Sequence, residues 1–161
     1  LHILSKAVHW KEKRGLKPGY FPKRMPNALA ILALHQFKKL DRFNAHRKQI
    51  AKQYCATLSG TTYELPREFS ERDGVFLRFT IKHPTAHEII RKAWSQNLLI
   101  GDWYTSPIAP DDTKLEKMQY EKGSCPKAEH LAQITLKLPT HIKIGEQEQK
   151  KIIEFLKNNG D

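Results

Sequence analysis

Cysteine and long apolar stretches are both scarce in this sequence of 161 residues. Its two cysteines, Cys55 and Cys125, lie far apart, so they predict neither a disulfide framework nor a Cys-rich zinc site and favour a reducing cytoplasm. There is no run of about 18 apolar residues, so we expect no membrane-spanning helix. Residues 1–10 have neither an initiator Met nor the pattern of a signal peptide, and we expect the chain to belong to something longer.

Common catalytic motifs are also missing. The sequence has no G-x-G-x-x-G, Walker loop, H-E-x-x-H, C-x-x-C or G-x-S-x-G, which argues against the usual dinucleotide, phosphate, zinc and hydrolase classes. His83 and His87 have the spacing of a helical metal pair, but Pro84 and Thr85 separate them, so we expect no metal site. Lys6 lies near the terminus among other cations, and no lysine has a sequence setting that indicates the desolvation needed for Schiff-base chemistry. We therefore expect no catalytic residue in this chain.

Acidic residues are outnumbered by basic ones. The chain has 17 Asp and Glu residues and 28 Lys and Arg residues, and its formal net charge is +11. Such an excess attracts phosphates, nucleic acid or an acidic partner. The basic residues are spread over the sequence without interleaved aromatics or Cys/His finger spacing, so a solvated surface is favoured over a nucleic-acid interface. The alternative is that a complementary acidic segment lies outside these 161 residues.

The apolar spacing predicts one α+β domain with a small sheet and helices packed on one face. A capping-box spacing at Thr85 and Glu88 marks the start of one helix, and a proline at 126 marks another. The predicted elements are a short helix over 1–15, a loop over 15–26, a long helix over 26–60, a strand over 75–82, a helix over 85–97, a short strand over 98–100, a helix from 124, a strand over 134–138 and a helix over 146–156.

Two loops have the composition of a contact site. The loop over 15–26 contains prolines and glycines together with aromatic and cationic side chains, and the segment after residue 100 combines an acid, two aromatics and two hydroxyls. The aromatics Trp103 and Tyr104 are suited to stacking on a base or a sugar ring, and packing against another domain explains them equally well.

Three segments resemble the DegT/DnrJ/StrS family of aminotransferases. They are the helix entry over 24–41, which begins Arg24-Met25-Pro26, then Cys125-Pro126-Lys127-Ala128-Glu129, and finally Leu138-Pro139-Thr140-His141. The three matches occur in the family's order and, with the closing helix, extend from about residue 19 to residue 156. The resemblance implies the small C-terminal domain of an aspartate-aminotransferase-like fold over 26–161, with 1–25 as a segment and loop that follow an absent large domain.

The resemblance also implies a function. Members use pyridoxal 5'-phosphate, form homodimers and pass an amino group to a keto sugar attached to a nucleotide, in amino-sugar or cell-surface polysaccharide biosynthesis. The Schiff-base lysine belongs to the large domain, so this chain is expected to need that domain, or a separately encoded equivalent, for activity. The competing hypothesis is a non-catalytic remnant, or a basic module that binds a nucleotide sugar, nucleic acid or an acidic protein.

The resemblance further implies roles for individual residues. Gly19, Tyr20, Arg24 and Met25 match the loop that reaches the cofactor phosphate of the neighbouring subunit. Phe21-Pro22-Lys23 replaces the family's phosphate-contacting Asn, and the charge of Lys23 or Arg24 is the substitute, so the cofactor-binding candidates are Tyr20, Lys23 and Arg24. Gly101-Asp102-Trp103-Tyr104 stands where many members have a Tyr-x-x-x-x-His substrate segment, which indicates a different acceptor. The substrate-binding candidates are Asp102, Trp103, Tyr104 and His141, with a structural hydrogen-bonding role as the alternative for His141.

Overall fold

A computed structural model describes residues 8–67 and 71–160, and in this part of the chain a small antiparallel sheet is covered on one face by helices. The expected α+β class is confirmed. The helices are α1 (Asn27–Phe37), α2 (Leu40–Leu58), α3 (Ala86–Ser95), α4 (Pro126–Ile134) and α5 (Glu146–Lys157), and the strands are β1 (Arg78–Lys82) and β2 (Thr135–Pro139). Two short 3-10 helices lie at Glu12–Arg14 and Leu115–Met118. Among the described residues, no helix is both long enough and apolar enough to cross a membrane.

The sheet has two different faces because side chains alternate along each strand. On one face, Phe79 lies opposite Leu138 and Ile81 lies opposite Leu136, and all four side chains are fully buried in the core. The register places Thr80 opposite Lys137 on the other face. Single bridges extend both edges of the sheet: Glu64 pairs with Lys82, and Gly101 pairs with Lys137.

Helices α2, α3 and α5 supply most of the rest of the core, and Tyr63, Ile100 and Ile144 add to it from loops. Burial of one large aliphatic side chain contributes about 1.5–3 kcal/mol, so the contributions of these helices are substantial. Two polar side chains of these helices bond to main-chain carbonyls: the hydroxyl of Tyr54 donates to the carbonyl of Pro139 at 3.2 Å, and Nε2 of Gln149 donates to the carbonyl of Ile50 at 2.9 Å. The buried apolar residues from these helices include Ile50, Ala51, Tyr54, Leu58, Ile89, Ile90, Ala93, Ile152, Phe155 and Leu156.

The prediction of one long helix over 26–60 was wrong, because the structure has two helices with a break at Lys38 and Lys39. At the break, the amide of Lys39 donates to the carbonyl of Gln36, three residues back rather than four, and a new α-helical series starts with the amide of Phe43 bonded to the carbonyl of Lys39. Neither glycine nor proline marks this point, and the apolar spacing continues across it.

Helix α1 is apolar on most of its surface, and nothing in the described part of the chain buries it. Its large apolar side chains are between 53% and 69% exposed, although apolar helices in folded proteins normally pack against a partner. We call these side chains the α1 apolar surface: Leu29, Ile31, Leu32, Leu34 and Phe37.

The bounds of several shorter elements also differ from those predicted. The strand predicted over 75–82 begins only at Arg78, and the strand predicted over 98–100 reduces to the bridge at Gly101. The predicted helix over 1–15 falls partly on residues 1–7, which lie outside the described residues, and the 3-10 helix Glu12–Arg14 ends at Gly15 in the left-handed conformation that glycine favours.

The histidines near α3 have structural partners. The capping box predicted at Thr85 and Glu88 does not form, because the hydroxyl of Thr85 contacts Nδ1 of His83 at 2.9 Å instead of the Glu88 amide. Nε2 of His83 lies 2.9 Å from the carbonyl of Gly160, and Nε2 of His87 lies 3.0 Å from the carbonyl of Ala132. Both imidazoles therefore join elements of the fold through backbone carbonyls.

Candidate functional site

A cleft of about 440 Å³ lies where β1 begins and β2 ends. We call it the strand-end cleft. Apolar side chains form part of its wall, and the remaining wall combines three cations, one carboxylate and one imidazole. The lining residues are Arg47, Leu77, Arg78, Trp94, Leu99, Ile100, Gly101, Asp102, Trp103, Lys137, Pro139, Thr140 and His141.

Lys137 is the most unusual residue of this cleft. It lies between two core leucines of β2, so alternation directs its side chain to the opposite face of the sheet, where it is only 2% exposed. Its Nζ has no hydrogen-bond partner among residues 8–67 and 71–160 and lies 4.0 Å from the centroid of the Tyr104 ring. Burial, and then the charge of Arg78, lower the pKa of Lys137 from 10.5 to about 8, while Asp102 acts in the opposite direction. Nothing in the sequence indicated this desolvated lysine.

Two arginines complete the basic side of the cleft. Arg78 opens β1, and the absence of a side chain at Gly101 leaves room for it: a Cβ at that position would lie 3.1 Å from Nη1 of Arg78. Arg47 comes from α2; its Nη1 donates to Oδ1 of Asn44 at 3.0 Å, whereas its Nε is buried without a partner. Within residues 8–67 and 71–160, no ion pair joins Arg47, Arg78 or Lys137 to a carboxylate.

The loop after Gly101 carries the acid and the aromatics. Its turn is closed by Thr105, whose amide and hydroxyl both donate to the carbonyl of Asp102, at 3.2 and 2.7 Å. The rings of Trp103 and Tyr104 meet edge to face, with centroids 6.4 Å apart and planes at 82°. Trp103 lines the cleft, whereas Tyr104 borders it by covering the ammonium of Lys137.

The segment after β2 supplies the imidazole. Thr140 is buried and its hydroxyl lies 2.7 Å from the carbonyl of Phe76 and 3.0 Å from that of Leu77, which fixes the chain at this point. His141 follows at the rim, and Nδ1 accepts a bond from the amide of Lys143 at 3.3 Å. Partial burial, and then the neighbouring cationic side chains, lower the pKa of His141 below its usual 6.5, which favours the neutral ring at pH 7.

The structure brings together the substrate-binding candidates and leaves the cofactor-binding candidates elsewhere. Asp102, Trp103 and His141 line the strand-end cleft, but Tyr20, Lys23 and Arg24 do not and are exposed. The hydroxyl of Tyr20 lies 3.3 Å from Oε2 of Glu12, and its ring is edge-on to His9 at 5.6 Å between centroids. Neither Lys23 nor Arg24 forms an ion pair within the described part of the chain.

Sequence reasoning missed the three cations of the cleft. The available signal was a single lysine between Leu136 and Leu138, at the position where a strand faces away from the core. Arg78 and Arg47 carry no comparable signal, because their proximity to Lys137 depends on the antiparallel register and on the packing of α2.

Known proteins resemble this chain in sequence and in fold. The pattern of the DegT/DnrJ/EryC1/StrS aminotransferase family matches residues 2–157. A curated relative, UDP-N-acetyl-3-dehydro-alpha-D-glucosamine 3-aminotransferase of Acidithiobacillus ferrooxidans, is 25% identical over 134 residues, which are 83% of this chain and 36% of the relative. This chain thus spans little more than a third of that enzyme.

Two solved structures show the same fold. DesV of S. venezuelae superposes with a TM-score of 0.74 at 20% identity, over 92% of this chain and 42% of its own. An aminotransferase from Psychrobacter cryohalolentis gives a TM-score of 0.68 at 17% identity, over 84% of this chain and 38% of its own. Because the family pattern spans nearly the whole sequence and the α+β fold agrees with it, the chain belongs to the DegT/DnrJ/EryC1/StrS aminotransferase family.

Proposed function

We propose that this chain is the C-terminal domain of a cytoplasmic, pyridoxal-phosphate-dependent aminotransferase whose acceptor is a keto sugar linked to a nucleotide. The observation that carries the proposal is the strand-end cleft, in which Asp102, Trp103 and His141 meet three cations. The curated relative supports the acceptor class, since its name describes amino transfer to a UDP-linked dehydro sugar. Amino-sugar synthesis is the pathway that such a reaction serves.

The proposal assigns a separate role to each polar or aromatic group of the cleft. The carboxylate of Asp102 accepts hydrogen bonds from sugar hydroxyls, and the exposed face of Trp103 stacks on a sugar or base ring. Tyr104 adds its ring to this aromatic wall once the ligand has displaced the ring from Lys137. His141, with its lowered pKa, presents a neutral imidazole: Nδ1 accepts from the amide of Lys143, so Nε2 carries the proton and donates one hydrogen bond to the ligand without adding charge. These groups bind and orient the acceptor, and none of them is assigned a catalytic step.

A large N-terminal domain, or a separately encoded equivalent, is part of the proposal. It would precede the small domain over 26–161 and be joined to it through 1–25. Coverage of 36% of the curated relative leaves room for such a domain, and the α1 apolar surface is the place where we propose that it packs. Covering those five side chains removes apolar area from water, which makes the association favourable.

Pyridoxal phosphate, when bound, supplies the electron sink through which the amino group is carried. In the proposal it is held mainly by the large domain. The exposed side chains of Tyr20, Lys23 and Arg24 suit a contribution in trans, because two cations that have no carboxylate partner among the described residues, together with a phenol, can bind the phosphate of a partner subunit's cofactor. A homodimer follows from this arrangement.

Co-expression with the N-terminal domain of the A. ferrooxidans relative tests the proposal. We expect a stable complex that binds pyridoxal phosphate and converts a UDP-linked 3-keto sugar to its amino product with glutamate as donor, measured by mass spectrometry. The chain alone should be inactive. Trp103→Ala should raise KM for the sugar nucleotide, and the matched surface variant Trp10→Ala should not. A folded, cofactor-loaded complex that aminates no nucleotide-linked keto sugar refutes the proposal.

A second candidate is a binding module without catalysis. The observation that favours it is the cluster of Arg47, Arg78 and Lys137 in a chain of net charge +11. The same experiment distinguishes the two, because a module binds the sugar nucleotide with unchanged affinity whether or not the N-terminal domain is present and releases it unmodified.

A further inference from the structure

We propose that Lys137, Arg78 and Arg47 form an oxyanion subsite in the strand-end cleft, and that this subsite binds a phosphoryl group of the ligand. The inference deepens the proposed function and rests on it for the identity of the molecule that carries the phosphoryl group. The subsite itself stands on the geometry of the described residues.

The strand-end cleft contains buried donors without acceptors. Four buried side-chain atoms of the described residues have no hydrogen-bond partner: His46 Nε2, Arg47 Nε, Thr113 Oγ1 and Lys137 Nζ. Two of these residues, Lys137 and Arg47, line the cleft. A buried donor without an acceptor is unfavourable, and native proteins rarely leave several in one place. An oxyanion in the cleft would give Lys137 and Arg47 an acceptor.

The charges around Lys137 do not balance. The groups that act on it directly are the guanidinium of Arg78, the carboxylate of Asp102 and the ring of Tyr104. The guanidinium of Arg47 from α2 and the imidazole of His141 line the same cleft. When the imidazole of His141 is neutral, the cleft wall contains three cations and one carboxylate, so the cleft has a net charge of two positive units. A phosphoryl group with two negative charges, or the two phosphates of a diphosphate, matches this excess, whereas one carboxylate leaves a charge unbalanced.

Tyr104 covers the group that would bind the oxyanion. The centroid of its ring lies 4.0 Å from the ammonium of Lys137. The tyrosine is 60% exposed, so its ring is held by little besides this cation–π contact and the edge of Trp103. An oxyanion attracts an ammonium more strongly than an aromatic face does, and ligand binding therefore displaces the ring.

Titration calorimetry of the purified chain tests the subsite, with inorganic pyrophosphate, UDP and uridine as probes at low ionic strength and pH 7. We expect pyrophosphate and UDP to bind at one saturable site and uridine not to bind measurably. Lys137→Met should weaken pyrophosphate binding at least tenfold, because a charge-assisted donor is lost. Lys52→Met removes the same charge from an exposed position of α2 and should change the affinity less than twofold.

Two further variants test the geometry. Gly101→Ala places a Cβ 3.1 Å from Nη1 of Arg78, so we expect the guanidinium to move and the affinity to fall several-fold. Tyr104→Leu removes the aromatic face that competes for the ammonium and should tighten pyrophosphate binding. Circular dichroism and thermal unfolding confirm that each variant is folded.

Three results would overturn the subsite. Equal losses of affinity in Lys137→Met and Lys52→Met would show that the net charge alone attracts the anion. Tighter binding of glutarate than of pyrophosphate would exclude the assignment to a phosphoryl group, and uridine binding as tightly as UDP would place recognition on the base. These outcomes leave the proposed amino transfer untouched, and a failure of amino transfer leaves pyrophosphate binding intact.

Discussion

Replacing Lys137 by Met should make the protein more stable at pH 7, although most core substitutions destabilise. The side chain is 2% exposed, and its ammonium has no acceptor. Its pKa is lowered from 10.5 to about 8 in the folded chain, so the unfolded state holds the proton more tightly than the folded state does. The folded protein therefore carries a penalty for the charge that is complete below about pH 8 and disappears as the pH rises towards 10.5.

The magnitude follows from the same two pKa values. Each pKa unit corresponds to about 1.4 kcal/mol, so the lowering amounts to about 3 kcal/mol at pH 7. Methionine has a similar length and no charge, and it gives up the cation–π contact with Tyr104, which is worth about 0.5–1 kcal/mol. We expect a net increase of about 2 kcal/mol in the free energy of unfolding.

Urea unfolding of the wild-type chain and of Lys137→Met, followed by tryptophan fluorescence at pH 7 and at pH 10.5, measures this difference. The advantage of the variant should be present at pH 7 and largely gone at pH 10.5. Lys52→Met, which removes an exposed lysine, should show little advantage at either pH. The reasoning is refuted if Lys137→Met is less stable than the wild type at pH 7, or if its advantage is the same at both values.

Three further predictions concern the cleft, the core and helix α1. The affinity for UDP should fall as the pH rises through about 8, since Lys137 then loses its proton, and calorimetry of Lys137→Met should show a flatter profile. Tyr54→Phe removes the hydrogen bond to the carbonyl of Pro139, so urea unfolding should show a loss of about 1 kcal/mol; an unchanged midpoint would mean that the bond contributes nothing. Ile31→Gln alters a side chain that is 68% exposed, so the urea midpoint of the chain should stay the same while less of the chain is recovered in a pull-down with the N-terminal domain. Recovery equal to that of the wild-type chain would mean that the domain packs elsewhere.

The elements that could be predicted from the sequence are those with local signals. Helix α5 begins and ends close to the predicted residues, because acids occupy its first turn and Lys157 its last. Helix α4 starts at Pro126, where a proline at the first position indicated it. The break at Lys38 and Lys39 has no such signal, since only the hydrogen-bond geometry of the folded chain reveals it.

The candidate site also has residues that local sequence signals indicate and residues that they do not. Asp102 and Trp103 could be predicted because an acid and an aromatic follow a short apolar segment, and both line the cleft. Lys137 could not, because what makes it unusual is the loss of water and the approach of Arg78, which is distant in sequence. Sequence patterns report which residues are near one another along the chain, whereas desolvation depends on which segments meet in space.

The bridge between Gly101 and Lys137 has a consequence for how this domain diversifies. The amide of Gly101 donates to the carbonyl of Lys137 at 2.8 Å, and the amide of Lys137 donates back to the carbonyl of Gly101 at 3.2 Å, so the bridge that joins the aromatic loop to the sheet uses main-chain atoms only. The side chain at 137 takes no part in that bridge, although its ammonium also contacts the Tyr104 ring. Evolution can therefore exchange the side chain, and with it the charge presented to a ligand, while the main-chain bridge stays in place.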